Sequence, residues 1–445
     1  MEKSIMKIKR LTVKNLYGHV GYDIKFNDSI TFLYGDNGCG KTTILNIVTH
    51  IITGKIYNLF NYKFEEIVLS YQPSNSRKYE KIEVSRTSDN EIVINFLSER
   101  VTIDQRFAYT SGTLDERIDI NNAYFSQYSI LEDIKNTFNY IFLPLNRNSS
   151  LSFDLTYNYR RRKMGRMRYN QAKVRYGNSK FDPTIDEVEA LVESAFNKSS
   201  NTLNRINEEF SDNILKSFLD VEDVINTDNA FQYIMSLNSA NIKKMQHEYI
   251  KVLKTLNKWD DASDNKVNAF FDSLQNDISF KKKYNNGISM QFLFKLSEVN
   301  RITNIIDKAE KAEEAKKEAR RPIETFLNTV NKFISNGVYD KKICIDDDGI
   351  IYLQTNGNKT IIQNMSSGEK QIVTFFAYLI FGLENTNQSI FIVDEPELSL
   401  HLNWQRQFVD SIMDVNKNVQ LIFATHAPEM IGRYRDNAVK LIPEL

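Results

Sequence analysis

A glycine-rich segment near the start of the sequence has the spacing of a phosphate-binding loop. An apolar run, predicted to be a strand, leads into Gly35-x4-Gly40-Lys41-Thr42, and helical periodicity follows. In this strand–loop–helix context, main-chain N–H groups turn toward phosphate oxygens at the positive end of the helix. Lys41 is expected to reach the β- and γ-phosphates, and Thr42 to hold Mg²⁺. The predicted nucleotide contacts are Gly35, Asn37, Gly38, Cys39, Gly40, Lys41, Thr42 and Thr43.

An acidic pair near the end of the sequence supplies the other half of such a site. The apolar run 390–393 is predicted to be a buried strand that ends at Asp394 and Glu395. Asp394 is placed to hold Mg²⁺, directly or through water, and Glu395 to polarise the water that attacks the phosphate. Neither half can hydrolyse a nucleotide without the other. The chain must therefore fold back on itself, with an insertion between the two halves.

Two further motifs flank the acidic pair. Upstream, Met365-Ser366-Ser367-Gly368-Glu369 precedes an apolar helix, and downstream a predicted strand over 421–424 ends at Thr425 and His426. With the first two motifs, in this order, they resemble the motifs of ABC-type ATPases. The upstream segment is similar to the ABC signature Leu-Ser-Gly-Gly-Gln, and His426 stands where these ATPases carry their switch histidine.

The resemblance implies a composite site shared between two subunits. In ABC-type ATPases the signature of one subunit caps the ATP bound by another, head to tail. Ser366 and the main chain at Gly368 would then cap the γ-phosphate of a partner's ATP at a helix N-terminus. The junction would lie near Ser399 and Leu400. ATP, with Mg²⁺ as cofactor, would hold a homodimer together, and hydrolysis would release it.

The motifs are predicted to lie where strands end and helices begin. This alternation of apolar strands and helices predicts an α/β fold. The fold expected from the resemblance is an ABC-type P-loop ATPase head, with a mixed sheet and an antiparallel β subdomain. The acidic turn Asp346-Asp347-Asp348-Gly349 between two apolar runs predicts a hairpin. The predicted strands of the head outside the four motifs cover 5–14, 20–26, 65–71, 81–87, 91–98, 140–143, 342–345 and 350–354.

Helical periodicity replaces the strand pattern between the two parts of the head. The head is predicted to comprise 1–150 and 335–445, and residues 151–334 a helical insertion that senses a signal or mediates oligomerisation. The insertion is too short for the arms of SMC proteins, so it is either a compact bundle or a short coiled coil. Its predicted helices cover 185–196, 202–219, 241–259, 267–280 and 290–334, the last with a kink or break near Pro322.

The strand predicted over 140–143 leads into a second candidate metal contact. In ABC-type ATPases the loop after this strand carries a glutamine that contacts Mg²⁺, but this sequence has Leu145-Asn146-Arg147. The Asn146 amide oxygen is the substitute ligand we expect, and Arg147 could bind a phosphate. The alternative is an ordinary loop.

A cluster of basic and aromatic residues lies within 157–176, a segment that contains no Asp or Glu. Such a surface suits nucleic acid or an acidic protein. The alternative is a solvated basic loop at the base of the insertion. The basic residues are Arg160, Arg161, Arg162, Lys163, Arg166, Arg168, Lys173 and Arg175.

Composition narrows the class of protein. The 445 residues include 57 Lys plus Arg and 57 Asp plus Glu, so there is no overall basic charge of the kind that nucleic-acid binding favours. No apolar stretch approaches the roughly 20 residues of a membrane span, and the start lacks the apolar region of a signal peptide. Two cysteines, Cys39 and Cys344, give neither a disulfide framework nor a zinc pattern. A cytoplasmic location is predicted.

The segment from Asp394 to Glu429 resembles a narrower group of ATPases. Asp394-Glu395-Pro396-Glu397, then Leu400-His401, then Thr425-His426-Ala427-Pro428 are similar to the block of OLD-type and related bacterial defence ATPases. Within that group the chain is similar to AriA of the PARIS system, whose partner is a TOPRIM nuclease. It is also similar to PtuA of Septu and of certain retrons, whose partner is an HNH nuclease. Because the chain stops at Leu445 with no TOPRIM segment, a separately encoded nuclease is expected.

These resemblances imply a sensor and scaffold in anti-phage defence. Such an ATPase would form a homo-oligomer, hold a nuclease silent, and release or activate it when a phage protein is detected. The alternative is a DNA-repair ATPase of the RecF or SMC type that clamps DNA between heads. A transporter motor is disfavoured by the altered signature, the Asp-Glu-Pro-Glu block and the missing glutamine.

Overall fold

The chain divides into a head, Met1–Ala195 with Glu324–Leu445, and a helical unit, Phe196–Ile323. Each unit has its own apolar core. The computed structural model describes residues 6–73, 76–105, 127–138, 140–144, 182–219, 239–256, 259–284, 290–335, 340–382 and 390–444.

The central sheet of the head has five described strands, and every pair of them is parallel. Helices cover such sheets on both faces, so the strands are apolar along their whole length. This explains why 390–394 and 420–424 are buried at every position. In spatial order the strands are β14 (Ala438–Lys440), β3 (Ile30–Tyr34), β13 (Gln420–Ala424), β12 (Ile390–Asp394) and β8 (Tyr140–Pro144).

Two antiparallel sheets complete the β structure. The larger has the order β2 (Val20–Lys25), β1 (Met6–Leu16), β4 (Glu66–Pro73), β5 (Glu80–Ser88), β6 (Glu91–Phe96) and β7 (Glu99–Asp104). The smaller has the order β11 (Asn358–Ile361), β10 (Ile351–Thr355) and β9 (Lys341–Ile345). The predicted hairpin joins β9 to β10, and its turn closes with the Gly349 N–H donating to the Asp346 carbonyl over 3.0 Å. The predicted α/β class, with an antiparallel β subdomain and a helical insertion, is confirmed.

The described helices belong to the head, to the helical unit or, in two cases, partly to each. Short 3₁₀ turns occur at Ile56–Asn61, Ile362–Asn364 and Arg435–Asn437. The α-helices are α1 (Lys41–Ile52), α2 (Ser129–Thr137), α3 (Pro183–Leu219), α4 (Ser239–Thr255), α5 (Asp261–Tyr284), α6 (Met290–Ile334), α7 (Ser367–Phe381), α8 (Leu402–Val415) and α9 (Pro428–Ile431).

One helix prediction was wrong in continuity. The helices predicted over 185–196 and 202–219 are one helix, α3, since no glycine or proline interrupts the sequence between them. The long helix predicted over 290–334 is α6, and it continues through Pro322, which excludes a break at that residue. A proline removes one main-chain hydrogen bond. Buried residues such as Ile305 before it and Phe326 after it keep both parts of the helix packed.

The helical unit is shorter than the predicted insertion 151–334. The start of α3 and the end of α6 belong to the head because their apolar side chains enter its core. These residues include Ile185, Val188, Phe326 and Val330. The helical unit packs around a core of its own from α4, α5 and α6. None of the helices in the described ranges combines the length and apolar character that crossing a membrane requires.

Candidate functional site

The carboxyl ends of three neighbouring strands bring the predicted motifs to one edge of the central sheet. Leu33 of β3 is in register with Ala424 of β13, and Ala424 with Asp394 of β12. The strands run parallel, so the residues that follow them all leave the same edge. The phosphate-binding loop, the acidic pair and His426 are therefore neighbours, although most of the sequence separates the first from the others.

The loop between β3 and α1 has the backbone that its glycines were predicted to provide. Gly38 and Gly40 have φ angles of 82° and 87°, in the left-handed region that glycine enters without strain. A Cβ atom at Gly40 would lie 2.7 Å from the Tyr22 hydroxyl oxygen. That hydroxyl donates to the Cys39 carbonyl over 2.9 Å. Tyr22, on β2, thus supports the loop from the antiparallel sheet.

Lys41 begins α1 and is only 6% exposed. Its ammonium donates to the Gly35 carbonyl over 2.9 Å and to the Asp36 carbonyl over 3.1 Å. The cation is therefore held across the loop by main-chain oxygens. Phosphate oxygens, which carry full charge, would compete for the same donors and form stronger hydrogen bonds.

Asp394 is a buried carboxylate beside Thr42, as a shared Mg²⁺ site requires. Burial raises its pKa, a hydrogen bond with the Thr42 side chain lowers it, and the charges of Glu395 and Glu397 raise it further. Its Oδ1 atom is buried and has no hydrogen-bond partner in the described part of the chain. A cation would relieve this accumulated negative charge, so these residues fit Mg²⁺.

The donor set also explains the choice of metal. Thr42 and Asp394 offer oxygen atoms, which Mg²⁺ prefers, and Mg²⁺ usually keeps waters and substrate phosphates as its other ligands. No group of three or more His, Cys, Asp or Glu side chains suited to a metal occurs among the described residues. Asn146, the third predicted metal contact, lies outside the described residues, as do Arg147 and the basic cluster within 157–176.

Glu395 occupies a left-handed position, with a φ of 50°, directly after β12. Its N–H donates to the Ala424 carbonyl over 2.8 Å, which extends the sheet pairing by one residue. The chain then turns through 395–399, and Ser399 also has a positive φ, 69°. The turn leaves the Glu395 side chain partly exposed at the sheet edge. A carboxylate there can reach water.

His426 follows the buried strand β13 and is exposed. The preceding residue, Thr425, is fully buried, and its N–H donates to the Leu33 carbonyl over 3.1 Å. The His426 N–H donates to Glu397 Oε1 over 2.6 Å. The segment carrying His426 is thus fixed on one side to the strand of the phosphate-binding loop and on the other to the turn after Glu395.

The segment around Ser366 begins helix α7. Ser366 and Glu369 form a capping box, in which the Ser366 N–H donates to Glu369 Oε2 over 2.8 Å and Ser366 Oγ accepts from the Glu369 N–H. Lys341 donates to the other oxygen of Glu369 over 2.6 Å. Ser366 is exposed. The N-terminus of α7 is therefore rigid and open, and its contact with a partner's ATP stays a prediction.

Residues 6–431 match the family model AAA_15, an AAA ATPase domain. The chain belongs to this family. Membership makes the chain an ATPase, while the parts that the loop at Lys41 and the acidic pair at Asp394 play in the reaction stay predictions. Mg²⁺ is the usual companion of ATP in such sites.

This AAA ATPase is also similar to named proteins. It is 24% identical over 98% of its length to the Retron Vc95 probable ATPase of Vibrio cholerae serotype O1 biovar El Tor, covering 74% of that protein. It also matches the DNA double-strand break repair Rad50 ATPase of Methanopyrus kandleri locally. That match is 32% identical and covers 13% of this chain and 7% of the Rad50 ATPase.

Solved structures similar to this AAA ATPase include an Smc head domain and RecF. The Smc head domain from Pyrococcus furiosus aligns with 99% of the chain and 96% of its own, at a TM-score of 0.42 and 12% identity. The recombination mediator protein RecF aligns with 97% of the chain and 95% of its own, at a TM-score of 0.36 and 12% identity.

Two residues of this AAA ATPase site were not predicted from the sequence. Tyr22 supports the phosphate-binding loop, and nothing in its local sequence indicates that role. Glu397 contacts the main chain of His426, and the repeated acid in Asp394-Glu395-Pro396-Glu397 was the available signal. The Glu397 contact depends on the pairing of β12 with β13, and the Tyr22 contact joins two different sheets.

Replacing Gly368 by alanine is expected to destabilise the head. A Cβ atom there would lie 2.5 Å from the Ser399 carbonyl oxygen, so the main chain of α7 or of the turn must shift. Overpacking of this kind costs about 1–3 kcal/mol, which thermal unfolding would show as a lower Tm. Ser367→Ala, at the exposed neighbouring position, is the matched control. Equal Tm values for the two variants would contradict the close contact.

Proposed function

We propose that this chain is the ATP-binding and ATP-hydrolysing subunit of an anti-phage defence complex. The observation that carries the proposal is the meeting of Lys41, Asp394, Glu395 and His426 at one sheet edge. The match to the Retron Vc95 probable ATPase over nearly the whole chain supports the defence context. The free thiol of Cys39, inside the phosphate-binding loop, favours a reducing cytoplasm.

Each residue has a distinct part in the proposed reaction. The phosphate-binding loop and Lys41 hold the β- and γ-phosphates, while Thr42 and Asp394 hold Mg²⁺. The metal, when bound, offsets the charge on the phosphate oxygens. Glu395 orients the attacking water and accepts its proton, because its partly exposed carboxylate stands at the end of β12. His426 completes the site on the β13 side.

The proposed assembly is a head-to-tail homodimer, or a larger homo-oligomer of such dimers. The exposed Ser366 and the N-terminus of α7 would face the γ-phosphate of a partner's ATP. A separately encoded nuclease, of TOPRIM or HNH type, would be held silent by the assembly. It would be released or activated when a phage protein is detected. The resemblance to defence ATPases supports this arrangement.

The first test is the reading frame beside the gene for the chain, where the proposal expects a TOPRIM or HNH nuclease. The chain and that nuclease are then expressed in bacteria from the full operon, and phage plating is measured with and without each gene. Protection is expected to need both genes and to be lost with Lys41→Ala. The purified pair should co-elute in size-exclusion chromatography.

Unchanged plating with the full operon, across a varied set of phages, would contradict the defence role. The outcome that favours a DNA clamp instead is a change in survival after DNA damage, with no effect on phage. The local match to a Rad50 ATPase gives that alternative its support. A membrane permease gene beside the chain would oppose both.

A further inference from the structure

Glu397 joins two segments that carry separate parts of the proposed site. It lies in the turn after β12, three positions beyond Asp394, and its Oε1 atom accepts the His426 N–H over 2.6 Å. Hydrogen bonds to an ionised carboxylate are shorter and stronger than those between neutral groups. The Glu397 side chain therefore joins the acidic turn to the segment after β13 by a hydrogen bond.

The main chain of Glu397 is itself fixed. Its carbonyl accepts the Leu400 N–H over 2.9 Å, and Gln405 Nε2 donates to the Leu400 carbonyl over 3.0 Å. Gln371 Nε2 donates to the neighbouring Pro396 carbonyl over 2.8 Å. Helices α7 and α8 thus hold the turn in place. The main chain of Glu397 is held by these contacts, and its side chain accepts the His426 N–H. Glu397 can therefore fix the main chain of His426 in place.

The second oxygen of Glu397 faces the interior. Oε2 is buried and has no hydrogen-bond partner in the described ranges, as is also true of Asp394 Oδ1. The charge of Glu397 acts on Asp394. Glu397 therefore adds negative charge to the surroundings of the predicted metal-binding residue, in addition to its contact with the His426 main chain.

We propose that Glu397 is a positioning residue for ATP hydrolysis, which acts by fixing the main chain of His426 and so the direction of its imidazole. The inference rests on the proposed ATPase site. Glu397 contacts neither ATP nor the attacking water in this role. Its loss should therefore slow turnover and leave ATP affinity nearly unchanged.

The test compares Glu397→Ala, Glu397→Gln, His426→Ala and the double variant Glu397→Ala/His426→Ala. Glu397→Ala is expected to lower kcat about 10-fold, with KM for ATP within about twofold. Glu397→Gln keeps a side-chain carbonyl for the His426 N–H and should recover most of kcat. If Glu397 acts through His426, the double variant should be no slower than His426→Ala alone.

Glu429→Gln is the matched control. Glu429 follows His426 by three positions in the sequence, and its carboxylate pairs with Arg406 at the surface over 2.9 Å. Its kcat should equal that of the wild type. Thermal unfolding of every variant separates a loss of positioning from a loss of folding, since Glu397→Gln preserves shape.

Four results would contradict one or another of these assignments. Additive effects of Glu397→Ala and His426→Ala, or a Glu397→Gln variant as slow as Glu397→Ala, would overturn the positioning role. A wild-type rate for Glu397→Ala, alongside a slow Glu395→Gln, would overturn it and leave the proposed function standing. A wild-type rate for Glu395→Gln would instead overturn the assignment of Glu395 as the residue that orients the attacking water.

Discussion

Glu395→Gln is expected to lower the rate of ATP hydrolysis about 100-fold or more while leaving ATP binding intact. Glutamine has the shape of glutamate but cannot accept the proton of the attacking water. The main-chain N–H at this position still donates to the Ala424 carbonyl. Removing the charge also removes one of the causes that raise the pKa of Asp394. The ionised form of Asp394, which Mg²⁺ binding needs, is therefore favoured more in the variant than in the wild type.

The measurement combines single-turnover hydrolysis with size-exclusion chromatography in ATP and Mg²⁺. If the heads dimerise around ATP, the variant should remain dimeric after the wild type has returned to monomer. Glu429→Gln, whose carboxylate pairs with Arg406 on the surface, controls for a lost charge. Hydrolysis at the wild-type rate would show that another group orients the water.

The site motifs were predictable because they are local. A strand, Ile30–Tyr34, leads into the phosphate-binding loop as predicted, Asp394 ends one buried strand, and Thr425 follows another. Strands buried on both faces are continuous apolar runs, and the polar residue that ends such a run marks the sheet edge. One sequence was enough to predict that these residues belong to one site.

The pairing of the strands was not predictable in this way. Nothing in the periodicity of 420–424 states that it lies between β3 and β12 in register with Leu33 and Asp394. Glu397 acts across the pairing of β12 with β13, and Tyr22 acts from one sheet on a loop of another, so their roles became visible only in three dimensions. The same holds for α3, where the sequence gives helical periodicity but the length depends on packing in two cores.

Lys41→Ala is expected to weaken ATP binding by roughly 100-fold, because it removes two or more hydrogen bonds from a cation to phosphate oxygens, worth about 3 kcal/mol. The fold should persist. The Gly35 and Asp36 carbonyls lose a donor, but the loop keeps the glycine backbone that shapes it. Isothermal titration with a non-hydrolysable ATP analogue and Mg²⁺ measures the affinity directly.

The stabilisation of the folded protein by bound ligand provides an independent measurement of the loss of ATP affinity in Lys41→Ala. At a ligand concentration of about 100 Kd, binding stabilises the folded state by about 2.7 kcal/mol, and a 100-fold weaker site gains only about 0.4 kcal/mol at that concentration. The Tm of the wild type should therefore rise with the analogue, and that of Lys41→Ala should barely change. Lys14→Ala, which removes an exposed lysine paired with Glu66 on the antiparallel sheet, should rise like the wild type. An equal rise for Lys41→Ala would place the nucleotide elsewhere, because Lys41 is the cation that the loop itself holds across the phosphate position.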